Sequence, residues 1–201
     1  MERNLVWSRL DEPGFEHLRI IEDQHQVVAN GVVIVVENNT PFRVRYVVHC
    51  DTSWRVRAVD IEILDSHIHG VYLRADGKGH WTNASDEPFP SLNGCIDADI
   101  SATPFTNTIA IRRLNLAVGE AAEITVAYIK VPEMQVRPIK QRYTCLAQDS
   151  DSGQYRYEGL LSNFTAELDV DRDGLVVHYP ELFRRVWTNE ESATEQRGQN
   201  L

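Results

Sequence analysis

The sequence has little lysine, little cysteine and no long apolar run. Lysine occurs 3 times against 17 arginines, and the net charge of the 201 residues is −10. A nucleic-acid binder gains its affinity by neutralising phosphates, so an acidic chain argues against that partner. The same balance argues against docking on anionic membranes. Arginine in place of lysine suits planar, two-point contact with carboxylates, although GC-rich codon usage produces the same bias. The three cysteines, Cys50, Cys95 and Cys145, are far apart and unpaired in spacing. They give neither a disulfide framework nor a zinc pattern. The N-terminus, MERNLVWSRLDEPG, has no apolar leader, so a cytoplasmic location is expected. The longest apolar stretch, Val27 to Val36, is interrupted at Asn30-Gly31 and is too short to span a bilayer. No nucleophile elbow, P-loop or dinucleotide fingerprint occurs. The Asn-x-Ser/Thr triplets at Asn38, Asn83 and Asn163 read as chance in a chain without a leader.

What is present is strand periodicity. With 42% hydrophobic residues the chain can bury one sizeable core. Phe42, Val44 and Tyr46 alternate with Arg43 and Arg45, the period-2 pattern of a half-buried strand. From Trp54 to Ile63 the alternation changes parity near Ala58, which predicts a β-bulge there. Further strands are expected at about 15–22, 27–37, 67–75, 95–101, 122–131, 135–146, 154–160, 163–170 and 174–178. Turn signals stand at Asn30-Gly31, Asn38 to Pro41, Asp76 to Gly79, Ser152-Gly153 and Asp173-Gly174. Thr103 as cap and Pro104 as first residue open a single internal helix over 105–114. A short helical turn is expected at 180–186. The polar segment from Thr188 to Leu201 reads as a disordered tail after one domain, 1–187.

Several constellations carry chemistry, each with a plainer counterpart. His67 and His69 lie on one strand face about 7 Å apart. They form a metal site only if His49 or His80 joins them, and the same face continues as core, so no metal is expected. Asp169-x-Asp171-x-Asp173-Gly174 begins like an EF-hand, but Pro180 stands where the closing glutamate belongs. Asp171 to Gly174 is better read as a hairpin turn. The densest polar stretch is Asn93 to Leu114. Asp97 and Asp99 share one strand face, followed by Thr103, Thr106, Asn107, Arg112 and Arg113. Two readings fit: an Asp–Arg pair tethering the helix inside the sheet, or an anchor for sugar hydroxyls.

Here the sequence becomes similar to a known group. Gly94-Cys-Ile-Asp-Ala-Asp99 with Thr103 to Leu114 resembles the bacterial family named "putative glycolipid-binding", formerly a domain of unknown function. Asp76 to Trp81, Gln141 to Thr144 and Phe164 to Pro180 match in the family's order. Ala110 departs from it, where the family often carries proline. The resemblance implies a mainly β fold: a spiral β-roll, a highly twisted antiparallel sheet of about fifteen strands wrapped around one central helix, in a homodimer. It further implies a non-catalytic binder of an amphipathic small molecule, a glycolipid or lipid, with no cofactor. Trp81, Asp97, Asp99, Asn107, Arg112, Arg113, Gln141 and Tyr143 are the candidate head-group contacts. The alternatives are an enzyme acting on a sugar or lipid through Asp97 or Asp99 with His80 or Arg113, and a structural dimer with no ligand.

Overall fold

The fold is that of a computed structural model, in which residues 2–64 and 70–189 are described. Two meanders and one helix make it. The first meander runs outward through β1 (Glu2–Arg9), β2 (Gly14–Glu22), β3 (Gln26–Glu37), β4 (Thr40–Asp51), β5 (Val56–Ile63), β6 (Gly70–Ala75) and β7 (Trp81–Asn83). The chain then crosses to β8 (Asp97–Ile100), forms α1 (Phe105–Leu114), and enters β9 (Ala121–Lys130). It returns through β10 (Gln135–Gln148), β11 (Ser152–Gly159), β12 (Phe164–Asp171), β13 (Val176–Tyr179) and β14 (Phe183–Thr188). Since β14 pairs with β1, all fourteen strands form one unclosed sheet, from β7 at one edge to β8 at the other. Every strand pair is antiparallel except β8–β9, which is parallel because α1 spans the connection. The sheet curls around the helix as a twisted roll.

Alternation builds the core. Glu16, Leu18 and Ile20 of β2, Val33 and Val35 of β3, and Val44, Tyr46 and Val48 of β4 are all buried. Ala98, Ile100, Ala127 and Ile129 are buried on the face of β8–β9 opposite Asp97. Both faces of these strands are therefore covered, as the inner turn of a spiral requires. The helix lies inside: Phe105 through Ile111 are all buried. Burial on every side stabilises a segment whose β-branched residues give it mediocre propensity.

The bulge expected near Ala58 is present. His49 pairs with Ala58 and Cys50 with Val56, leaving Arg57 as the extra residue. The Asn38-Asn39 hairpin is also as expected, with positive φ at both residues. Other expectations are corrected. Asn30-Gly31 is no turn but the middle of β3. Gly31 is needed there because a Cβ would lie 2.3 Å from the Tyr46 ring. Ser152-Gly153 begins β11, and the turn precedes it, closed by Asp149 accepting from the amides of Asp151 and Ser152. The helical turn expected at 180–186 is a tight turn at Glu181 (φ 66) followed by β14, because pairing with β1 overrides local propensity. Trp54 does not start β5; it sits in the preceding turn with φ 60. Asn189 still pairs with Asn4, and the rest of the expected tail, 190–201, lies outside the described residues, as do His67 and His69.

Candidate functional site

The two ends of α1 are held by different chemistry. At its start Pro104, not Thr103, holds the cap position, and the Phe105 amide donates to Thr103 Oγ1 (3.0 Å), one residue further out. The Thr103 hydroxyl in turn donates to Glu16 Oε1 (2.8 Å), and the Tyr46 hydroxyl donates to the same oxygen. Glu16 is 1% exposed, its Oε2 has no partner, and burial pushes its pKa up to about 8 against the two hydrogen bonds. Parity could have found it: Glu16 lies on the same face as Leu18 and Ile20.

Along the helix the polar segment resolves into pairs. Arg113 donates through Nε and Nη2 to the two oxygens of Asp97, both at 2.6 Å. Burial still raises the Asp97 pKa, with Arg113 opposing it. This is the helix tether, and it uses one of the two aspartates. Asp99 is half-buried; it accepts from Thr106 Oγ1 (2.9 Å) and Gln141 Nε2 (2.6 Å), and desolvation raises its pKa too. Tyr143 donates to Asn107 Oδ1 (2.9 Å), while Asn107 Nδ2 donates to the Pro104 carbonyl (3.1 Å). The Trp81 indole N–H donates to the Cys95 carbonyl (2.7 Å). Thus Asp99, Asn107, Gln141 and Tyr143 brace the helix from one side, and Trp81 pins the segment before β8.

At the other end of the helix, the chain leaves an open cleft of about 450 Å³, within the roughly 300–1,000 Å³ usual for small-molecule sites. Its wall is the last helical turn with Arg112, Arg113 and Asn115, whose left-handed backbone ends the helix. The turns after β4, β10 and β12 complete it with Ser53 and Trp54, Asp149, and Arg172. Arg112 and Arg113 are the two of the eight candidate residues that line it. The Arg112 guanidinium lies 5.1 Å from the Trp54 ring centroid and 3.6 Å from Glu22.

The cleft's turns are rigidly pinned. Asp51 accepts from the Ser53 and Arg55 amides, and Asp171 Oδ1 from the Asp173 and Leu175 amides. Asp171 is further held by Arg3 (3.2 Å) and Arg185 (2.5 Å), and Arg3 also bonds Asp173. The EF-hand-like acids are therefore the hairpin turn that was expected, with arginines where calcium would sit. Among the described residues no three His, Cys, Asp or Glu side chains are grouped to hold a metal. Sequence reasoning missed Trp54 as a site residue. A bulky residue at φ 60 is a true outlier, and only the backbone reveals it.

All three cysteines are buried, and desolvation raises the Cys50 thiol strongly and that of Cys95 to about 11. Neither is a ready nucleophile. His80 is exposed and engaged with Asp76 (2.7 Å). No helix among the described residues is long and apolar enough to cross a membrane.

Comparison with known proteins supports this architecture. A crystal structure of a DUF1089 family protein from Pseudomonas aeruginosa superposes with a TM-score of 0.75 at 36% identity, covering 86% of this chain and 92% of that one. No protein of curated function matches. The family model described as "Putative glycolipid-binding" matches residues 4–185, and this chain belongs to that family.

Proposed function

We propose that the protein binds the head group of a glycolipid, without catalysis, in the cleft at the C-terminal end of α1. The observation that carries this reading is the cleft's chemistry. A guanidinium stacked on tryptophan stands among the hydroxyls, amides and carboxylates of Ser53, Gln148, Asp149 and Ser152. Such a surface offers donors and acceptors in several directions above a buried tryptophan that holds the guanidinium in place, which suits a polyhydroxylated ring. The interior of the roll offers less, because the buried helix and the apolar core fill it. A bound glycolipid would therefore place its sugar in the cleft and its chains outside.

A catalytic reading through Asp97 and Asp99 has less support. Asp97 is closed by a bidentate arginine, and His80 is bonded elsewhere. Calorimetric titration with an alkyl glucoside and with free glucose tests the proposal. Saturable binding of both, weakened about tenfold or more by Arg112→Ala, is expected. Absence of saturation across a panel of alkyl glycosides would overturn it, as would binding that Arg112→Ala leaves unchanged.

A further inference from the structure

The outer face where the two meanders join carries apolar side chains that stay exposed among the described residues. Phe15 is 58% exposed, Ile34 57% and Trp187 52%. The strand register assembles them into two adjacent rows. One row runs Arg184, Ser8, Phe15, Ile34, Arg43 across β14, β1, β2, β3 and β4. The next runs Trp187, Val6, His17, Val32, Arg45 across the same strands. Four strand spacings separate the ends of each row, about 19 Å. Together they make one apolar patch with guanidiniums on its rims.

The charge of this patch is opposite to that of the molecule. The chain carries −10 overall, yet neither row holds a carboxylate between its ends. Among the described residues the first one met is Glu62, opposite Arg45 on β5, where it accepts from the Tyr72 hydroxyl. At physiological ionic strength the screening length is about 8 Å, so acids beyond it count little at a docked surface; Glu62, one strand from Arg45, offsets part of that rim and leaves Arg184 at the other.

We propose that this face docks on an anionic phospholipid bilayer. Tryptophan, phenylalanine and isoleucine would enter the interface between head groups and chains, while Arg45 and Arg184 meet phosphates at its rims. A second copy of the chain fits less well. Two-fold pairing of this face on itself would bring cationic rims against cationic rims. The inference is independent of the head-group cleft, and it reverses locally the expectation that net charge alone suggests.

Co-sedimentation with vesicles tests it without any glycolipid present. Wild-type protein should pellet with phosphatidylcholine–phosphatidylglycerol vesicles and stay in solution with phosphatidylcholine alone. Phe15→Ser with Ile34→Ser should weaken vesicle binding about tenfold or more. Arg45→Ala with Arg184→Ala should remove the preference for phosphatidylglycerol. The proposal fails if wild-type protein does not pellet, or if the variants pellet equally. It fails also if sedimentation velocity finds a dimer that Phe15→Ser with Ile34→Ser dissociates, without vesicle binding. That last result would assign the face to a second copy.

Discussion

The two ends of the central helix bury acids by opposite means. Glu16, at the N-terminal end, has two hydroxyl donors, no cation and one unpartnered oxygen. Asp97, near the C-terminal end, has an arginine on both oxygens. The first arrangement is dry and sealed; the second borders an open cleft. A carboxylate without a cation is cheapest when protonated, whereas one with a bidentate arginine holds its charge as part of a pair. The comparison separates a latch for the fold from a frame for a site, and each prediction below acts on one end.

The largest effect is expected at the sealed end. The Glu16 pKa is raised from 4.5 to about 8 in the folded protein. Folded chains thus hold a proton that unfolded chains release above pH 4.5. The contribution of Glu16 is fully present below that pH and is lost as pH rises through about 8, a swing of up to about 5 kcal/mol. Urea unfolding at pH 5 and pH 8.5 should show this decline in wild type, and Glu16→Gln should flatten it. An identical decline in the variant would mean that Glu16 is not dry.

At the open end, Arg113→Ala leaves Asp97 buried without its partner. Stability at neutral pH should fall by about 3–5 kcal/mol. Protonation then becomes the way to relieve the site, so the deficit should shrink as pH falls below the raised Asp97 pKa. A chemical unfolding series that shows a loss below about 1 kcal/mol would place the pair among ordinary surface bridges.

Gly31→Ala touches the sealed end indirectly. The new Cβ would meet the Tyr46 ring at 2.3 Å and push the hydroxyl that bonds Glu16. Overpacking of this kind costs about 1–3 kcal/mol, measurable as a lower urea midpoint.

Legibility in the sequence followed the same division. Strands with a clean period of two, such as Phe42 to Val48, were readable because every second residue is apolar. The helix was readable from Thr103 and Pro104, and the tether from acids and arginines within one segment. β1 was not, because Arg3 occupies an inward position and breaks its apolar alternation; its reason is Asp171, 168 residues away. β14 read as helix because its pairing with β1 is equally remote in sequence. The cleft was legible only through Arg112 and Arg113. Its other walls are turns that meet because the two meanders close on each other at β1 and β14, and no local pattern encodes that meeting. Trp54 is inward as read, 4% exposed, but its φ of 60 takes it out of β5 and sets its ring under Arg112 at the cleft.

The smallest effect on stability is expected where the functional effect is greatest. Arg112 is adjacent in sequence to Arg113 but differs in every physical respect. Its side chain is one-third exposed, its ion pair with Glu22 is long at 3.6 Å, and its best contact is the Trp54 ring. An exposed cation–π contact contributes about 0.5–1 kcal/mol, and a long, partly exposed ion pair adds little. Arg112→Ala should therefore shift the unfolding free energy by less than about 1 kcal/mol while removing most alkyl-glucoside binding. The same measurements on Arg113→Ala should return the reverse balance, a large loss of stability. If Arg112→Ala instead destabilises the chain as much as Arg113→Ala does, both arginines belong to the frame. The cleft would then lose Arg112 as a cation set aside for a ligand.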